Sequence, residues 1–119
     1  TQIYPQENDA AVMGRGMAPA LQIGRMKVPA EIEAKYNEYY DTVRTPGNLQ
    51  VPGCLAVRRY QAVEGEPKYL TVYEVEHVDV SKSSEWLTQR EAHPDNPRMQ
   101  KAMTHAAGSP GIWKKTFQL

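Results

Sequence analysis

One turn of a predicted helix carries two side chains that could together hold an oxyanion. Tyr40 and Arg44 are four residues apart, so they share a helix face and lie one turn from each other. The phenol can donate a hydrogen bond to a negatively charged oxygen while the guanidinium neutralises its charge. The pair predicts a clamp for a carboxylate, phenolate or enolate oxygen. The alternative is that Tyr40 packs in the core while Arg44 extends to solvent or pairs with Asp41.

A β-prone segment later in the chain adds further aromatic side chains. Tyr69, Tyr73 and His77 fall on one side of the predicted strand, because successive side chains of a strand alternate between its faces. Tyr73 could donate a hydrogen bond to a substrate or stack on it, and we assign it a catalytic role. Tyr69 and Trp86 are assigned as further substrate contacts. The alternative for Tyr73 is a core position, and His77, at the strand end, is expected in solvent.

Histidine is the usual acid or base near neutral pH, and the sequence contains His77, His93 and His105. His105 is the candidate catalytic residue, because it follows Met99 and Met103 on a predicted helix that can approach the sheet. His93 lies in a polar loop. A structural or exposed position is the alternative for His105. The three histidines lack a short metal-ligand spacing, so we predict no metal site.

The remaining chemistry-bearing features indicate little. Cys54 is the single cysteine and has no activating base beside it, so we expect a small buried side chain and a location in the reducing cytoplasm. The glycines at 14 and 16 have no preceding strand, so they do not predict a phosphate loop or a nucleotide cofactor. Fourteen basic residues balance fourteen acidic ones, and no apolar run could span a bilayer. We therefore predict no nucleic-acid partner, no membrane partner and no cofactor.

The elements that must position these residues can be inferred from hydrophobic period and turn residues. Residues 20–28 have strand composition, and a helix follows Pro29. We expect this helix to end near Arg44 or Thr45, because the residue before Pro46 avoids helical angles. Its apolar face should cover a sheet.

The second half of the chain repeats the pattern. Residues 54–63 and 69–78 are predicted to form a hairpin, followed by a helix that is broken near Pro94 and by a last strand at 112–117. The order β-α-β-β-α-β predicts a ferredoxin-like α+β fold, a four-stranded antiparallel sheet with helices on one face. Both faces of the central strands carry apolar residues, so the open face predicts a homodimer, a dimeric α+β barrel.

The length of the chain, 119 residues, suits one domain. Residues 1–18 contain proline and glycine and show no apolar period, so we interpret them as an N-terminal arm. Residues 19–119 then form the ferredoxin-like domain.

Residues 35–76, KYNEYYDTVRTPGNLQVPGCLAVRRYQAVEGEPKYLTVYEVE, resemble small dimeric α+β barrel proteins of the EthD-like and antibiotic-biosynthesis-monooxygenase-like group. The most telling pieces are EYYDTVRTP, VPGCLAVRRYQAV and EPKYLTVYEVE. The resemblance implies a homodimer with one pocket per subunit, between sheet and helices. In many relatives the first helix ends in an aromatic residue, an acid and a histidine, which match Tyr40, Asp41 and Arg44 here. Arginine stays protonated, so Arg44 cannot replace the histidine as a general base.

What the resemblance implies about function is a class of reactions. Relatives include cofactor-free monooxygenases, lactone isomerases and polyketide cyclases, so the expectation is a cofactor-independent enzyme of monooxygenase, isomerase, cyclase or lyase type. Its substrate would be a small aromatic or carbonyl-bearing metabolite of a catabolic or secondary-metabolite pathway. Two alternatives stay open: a non-catalytic carrier of a small molecule, and a structural dimer without a pocket of roughly 300 Å³ or more.

Overall fold

The computed structural model describes residues 2–7, 18–91, 101 and 103–117, with backbone only for residues 2–7. The strands are β1 (Gln2–Glu7), β2 (Ala20–Lys27), β3 (Cys54–Gln61), β4 (Tyr69–Val75), β5 (Thr104–His105) and β6 (Gly111–Lys114). The α-helices are α1 (Glu33–Tyr39), α2 (Thr45–Leu49) and α3 (Ser84–Glu91). A π-helical segment (Tyr40–Arg44) joins α1 to α2, and 3₁₀ turns (Ala30–Ile32 and Val80–Lys82) precede α1 and α3. None of these helices is long and apolar enough to cross a membrane.

The sheet confirms the predicted fold class. Its strands lie in the order β1-β3-β4-β2, and both β5 and β6 pair with the outer edge of β2. Each described pairing is antiparallel. The central order β3-β4-β2-β6, with helices between β2 and β3 and after β4, is the ferredoxin-like arrangement.

Two clusters of buried side chains lie between the sheet and the helices. The first contains Ala20, Val51, Cys54, Val57, Tyr73, Val75 and Trp86. The second contains Met26, Tyr36, Tyr39, Tyr40, Tyr69 and Met103. Even-numbered residues of β2 and odd-numbered residues of β4 supply the sheet side of both clusters, as strand alternation requires. Cys54 is buried, as expected, and burial raises the pKa of its thiol to about 12.

The first helical region runs past the predicted break. The prediction that the helix ends near Thr45 is wrong, because helical structure continues through α2. The carbonyl oxygen of Tyr40 accepts hydrogen bonds from the backbone N–H and from Oγ1 of Thr45, five residues later. Such a widened turn leaves room for Pro46, whose ring would clash with the carbonyl four residues before it in a regular helix. Tyr40 and Arg44 therefore lie on an irregular turn.

The C-terminal third differs from the prediction at His105. His105 was expected on a helix, but it belongs to β5 and pairs with Met26 on the edge of β2. Without a neighbouring strand, this edge of β2 would expose unpaired backbone N–H and C=O groups to solvent. Pairing with β5 satisfies their hydrogen bonds. The predicted break near Pro94, with His93 and Met99, lies outside the described residues.

Part of the N-terminal arm is a strand. Residues of β1 pair with β3, from Gln2 opposite Tyr60 to Glu7 opposite Ala56. The outer edge of β3 offers unpaired N–H and C=O groups, which a short extended segment can satisfy without a core of its own. Residues 8–17 lie outside the described part of the chain.

Candidate functional site

A cavity of about 250 Å³ lies on the helix-covered face of the sheet. Of the six site residues predicted from the sequence, those that line it are Tyr40, Arg44, Tyr73, Trp86 and His105. The sixth, Tyr69, does not line it and packs in the second core cluster, where its hydroxyl accepts a hydrogen bond from Nδ2 of Asn37 at 3.2 Å. The π-helical segment, β4, α3 and β5 thus bring together residues that are far apart in sequence.

The floor of the cavity comes from two neighbouring strands. Strand alternation points Gln22, Gly24 and Met26 of β2 and Thr71 and Tyr73 of β4 to this face. Gly24 has no side chain, and a Cβ built on it would approach only the end of Met26, at 4.0 Å. The absence of a side chain at Gly24 therefore keeps part of the cavity volume open.

The aromatic wall is formed by Tyr73 and Trp86. Their rings meet edge to face, with centroids 5.0 Å apart and planes at 75°. Such contacts are favourable and fix ring orientation. Burial raises the pKa of Tyr73, and the nearby Arg44 guanidinium only partly offsets this effect. Tyr73 therefore remains a neutral phenol at physiological pH and can donate a hydrogen bond.

Arg44 is buried, with 9% of its surface exposed. Its Nη1 donates a hydrogen bond to Oδ1 of Asn48 at 3.3 Å, and its Nε has no partner among the described residues. None of the described carboxylates forms an ion pair with it. Asp41, which the alternative interpretation offered as one partner of Arg44, pairs instead with Nη1 of Arg59 at 2.5 Å. Tyr40 does pack in the second core cluster, as that alternative expected, and its hydroxyl lies within hydrogen-bond distance of Sδ of Met26 and of Met103, at 3.8 Å each. Arg44 is thus a buried cation that faces a cavity, an arrangement that is costly unless a counter-charge binds there.

The cavity has a positive lining. Arg44, Lys82 and Arg90 all line it, while no aspartate or glutamate is among its lining residues in the described part of the chain. Arg90 pairs with the adjacent Glu91 and Lys82 is exposed, so both lie toward solvent. Three cationic side chains therefore surround this cavity, although the chain has no net charge. Their positive charge favours negatively charged ligands.

Other polar atoms at the cavity also lack partners. Gln22 Oε1 and Thr71 Oγ1 are buried and make no hydrogen bond within the described residues. Both side chains line the cavity together with Arg44. A buried polar atom left unpaired costs roughly 1–3 kcal/mol. A ligand that bears both donors and acceptors would satisfy all three groups.

His105 lies at the exposed end of the cavity. Its Nδ1 is 2.9 Å from Oγ of Ser109. Partial burial lowers the pKa of the imidazole, so the ring is neutral at neutral pH. Within the described residues, no group of three or more His, Cys, Asp or Glu side chains could hold a metal ion.

Arg59 was not predicted as a site residue, yet it supports the site from behind. It has 0% of its surface exposed and lies over the rings of Tyr36, Tyr40 and Tyr69, with centroid distances of 5.0, 5.4 and 5.6 Å. Its Nη2 also donates to Oδ1 of Asn37 at 2.8 Å. The neighbouring Arg58 faces the opposite side of the sheet and pairs with Glu74, as adjacent strand residues must. The sequence feature that could have identified Arg59 is its adjacency to Arg58 in a strand, because neighbouring strand residues face opposite sides and one of the two arginines must face the core.

Comparisons with known proteins show the fold. No family model matches the sequence, and no curated protein sequence matches it. The haem degrader MhuD from Mycobacterium tuberculosis, with two haems bound in its active site, has a similar structure: the TM-score is 0.64 at 20% identity, over 85% of this chain and 99% of that chain. An ethyl tert-butyl ether degradation (EthD) family protein from Bacillus halodurans gives a TM-score of 0.52 at 17% identity, over 82% and 98% of the two chains.

A third solved structure is a proposed antibiotic biosynthesis monooxygenase from Nitrosomonas europaea. Its TM-score is 0.51 at 14% identity, over 82% of this chain and 99% of that chain. These similarities confirm the predicted resemblance at the level of fold, the ferredoxin-like fold of the EthD-like and antibiotic-biosynthesis-monooxygenase-like group. Because a shared fold hosts different reactions, function must be argued from the cavity itself.

Proposed function

We propose that this protein binds a small anionic molecule, aromatic or carbonyl-bearing, in the cavity between sheet and helices. The observation that carries the proposal is Arg44, a buried guanidinium without a carboxylate partner among the described residues, in a cavity whose lining contains no acid. Its forked donors suit a carboxylate, phenolate or enolate oxygen. The aromatic part of the ligand would lie against Tyr73 and Trp86.

The proposed activity is cofactor-independent chemistry of monooxygenase, isomerase, cyclase or lyase type. Arg44 would stabilise negative charge that develops on a substrate oxygen, and Tyr40 and Tyr73 would add phenol groups to the same cavity. Arg44 cannot itself remove a proton, because a guanidinium stays protonated. A non-catalytic carrier is one competing function, and it would show saturable binding without product. The structural dimer is the other, because the cavity of about 250 Å³ is smaller than the roughly 300 Å³ usual for a small-ligand pocket; it would show neither binding nor product.

Haem is a second ligand to consider, because the similar mycobacterial protein is described with haems bound. The cavity here does not fit it. Pockets for drug-sized ligands usually occupy roughly 300–1,000 Å³, and this cavity of about 250 Å³ is smaller than that range. The packed rings of Tyr73 and Trp86 form one wall of it. We therefore propose a substrate much smaller than a tetrapyrrole.

We also propose that the protein is a homodimer that buries the open face of the sheet. On this face β2, β3, β4 and β6 expose partly accessible apolar side chains, namely Leu21, Ile23, Tyr60, Leu70, Val72 and Trp113. An apolar face of this kind is usually covered, and a second copy of the same sheet would complete a barrel. A cytoplasmic location fits the single buried thiol of Cys54.

The proposal is tested with matched ligand pairs. Small aromatic acids and keto acids, each with its carboxamide, are screened by thermal shift against the purified protein, together with hemin. We expect acids to raise the unfolding temperature and their carboxamides to do so much less. Acids that stabilise the protein are then incubated with it under air and analysed by mass spectrometry, which separates an enzyme from a carrier. Stabilisation by amides as strong as by acids would contradict an anionic site, and stabilisation by hemin alone would contradict a small ligand.

A further inference from the structure

A gap in the edge pairing of β2 is bridged by a side chain. β6 pairs with residues 20–23 of β2, and β5 pairs with Met26 and Lys27. Between them the backbone N–H of Arg25 donates to Oγ of Ser109 at 2.7 Å, and the N–H of Ala106 donates to the carbonyl oxygen of Arg25 at 2.8 Å. Gly108, with φ +77°, allows the tight turn that brings Ser109 back to the strand. Ser109 therefore replaces a strand carbonyl in the ladder.

The same hydroxyl also contacts the histidine of the cavity, since Ser109 Oγ lies 2.9 Å from Nδ1 of His105. A serine hydroxyl has one proton and two acceptor lone pairs. One lone pair is taken by Arg25 N–H, so the proton is available for an acceptor. Among the described residues, Nδ1 of His105 is an acceptor within hydrogen-bond distance of Ser109 Oγ. Two hydrogen bonds then satisfy all of these groups: the N–H of Arg25 donates to Ser109 Oγ, and the Ser109 hydroxyl donates to Nδ1 of His105.

We propose that Ser109 is a positioning residue that holds His105 as the tautomer protonated at Nε2, so that the site offers its ligand an N–H donor rather than a base. Because Ser109 occupies Nδ1, the ring nitrogen left for a ligand is Nε2. This inference rests on the proposed function and narrows its ligand class. Besides the anionic oxygen at Arg44, the ligand carries a second acceptor oxygen, as an oxo acid or a hydroxy aromatic acid does.

The tautomer can be measured without any ligand. Long-range ¹H–¹⁵N spectra of protein labelled at histidine distinguish a protonated from an unprotonated ring nitrogen at neutral pH, and the His105→Gln variant assigns the signals of His105. We expect a bare Nδ1 and a protonated Nε2 in the wild-type protein, unchanged in Ser109→Thr, which keeps the hydroxyl. In Ser109→Ala the two tautomers should exchange. A wild-type ring protonated at Nδ1, with bare Nε2, would overturn the proposal.

A second experiment compares the affinities of the protein for an oxo acid and for the matching acid that lacks the oxo oxygen. Losing one hydrogen bond to a ligand weakens binding on the order of tenfold. We expect that loss for the oxo acid in His105→Ala, which removes the donor. In Ser109→Ala the loss should be smaller, roughly twofold where the two tautomers are equally populated, and Ser109→Thr should recover the wild-type affinity. Equal affinities for both acids in all variants would refute the donor role. If neither acid binds wild type while the tautomer is as expected, the proposed function fails and the role of Ser109 as a tautomer-fixing residue stands.

Discussion

Replacing Arg44 by leucine tests the anionic site most directly. The leucine removes the cation but fills much of the same volume beside Tyr40 and Tyr73. A hydrogen bond between charged groups contributes roughly 1.5–3 kcal/mol, and Coulomb attraction at about 4 Å with an effective dielectric of 20 is about 4 kcal/mol before the ligand is desolvated. A net loss of about 2–3 kcal/mol corresponds to a dissociation constant roughly 30- to 150-fold larger.

The effect of the same change on folding should be small. The substitution removes the hydrogen bond from Arg44 to Oδ1 of Asn48 at 3.3 Å. Asn48 is buried, and a buried acceptor left unpaired costs roughly 1–3 kcal/mol. In return the protein no longer buries a cation that lacks a carboxylate partner among the described residues, which relieves a desolvation cost. We expect the free energy of unfolding in urea to change by no more than about 1 kcal/mol.

Isothermal titration calorimetry with an acid that stabilises the wild-type protein measures the affinity. Arg90→Leu is the matched control: it removes another cavity cation, but one that is exposed and paired with Glu91, and exposed ion pairs contribute less than about 1 kcal/mol. Arg44→Lys keeps the charge without the fork and should be intermediate. An unchanged dissociation constant in Arg44→Leu, or equal losses in Arg44→Leu and Arg90→Leu, would refute the clamp.

Three further predictions concern the support of the site and the assembly. Arg59→Leu should lower the free energy of unfolding by about 3–5 kcal/mol, because it breaks the ion pair with Asp41 and the contacts with three tyrosine rings; urea unfolding measures it, and a loss below about 1 kcal/mol would contradict the structural role. Val72→Asp, on the open face, should convert a dimer into a folded monomer, which light scattering detects; a wild-type protein that is monomeric at micromolar concentration counts against the barrel. Cys54, with its thiol pKa raised to about 12, should react with a thiol reagent at pH 8 only after unfolding; rapid labelling of the native protein would show that the strand end is open.

The fold was more predictable than the site, and the reason is the range of the interactions. Strand alternation and turn residues are local signals, and they located β2, β3 and β4 within a few residues. The helix end at Thr45 was misplaced because a π-helical turn, which local rules do not anticipate, absorbs Pro46. His105 was misplaced because β5 forms only where the free edge of β2 is available, a condition set by tertiary structure.

The site residues were predictable where one element carried the chemistry. Tyr40 and Arg44 are one helical turn apart, and they do face one cavity. Tyr69 and Tyr73 share a strand face, yet only Tyr73 lines the cavity, because Tyr69 is covered by Tyr36 at a ring distance of 5.0 Å. Which end of a strand face is covered depends on where a helix crosses it, and alternation carries no information about that crossing.

Two arginines that are buried in the described part of the chain explain how a protein without net charge can have a positive cavity. Arg59 forms an ion pair with the carboxylate of Asp41 at 2.5 Å, so the charge of its guanidinium is balanced within the protein. That pairing removes from Arg44 the acid closest to it in sequence. Arg44 is left without an internal counter-ion among the described residues, and its burial is then a cost that ligand binding can recover. On this reasoning Asp41→Asn should not improve anion binding at Arg44, because the carboxylate already serves Arg59; a large gain in affinity would show that Asp41 screens Arg44 and that the two arginines share one counter-charge.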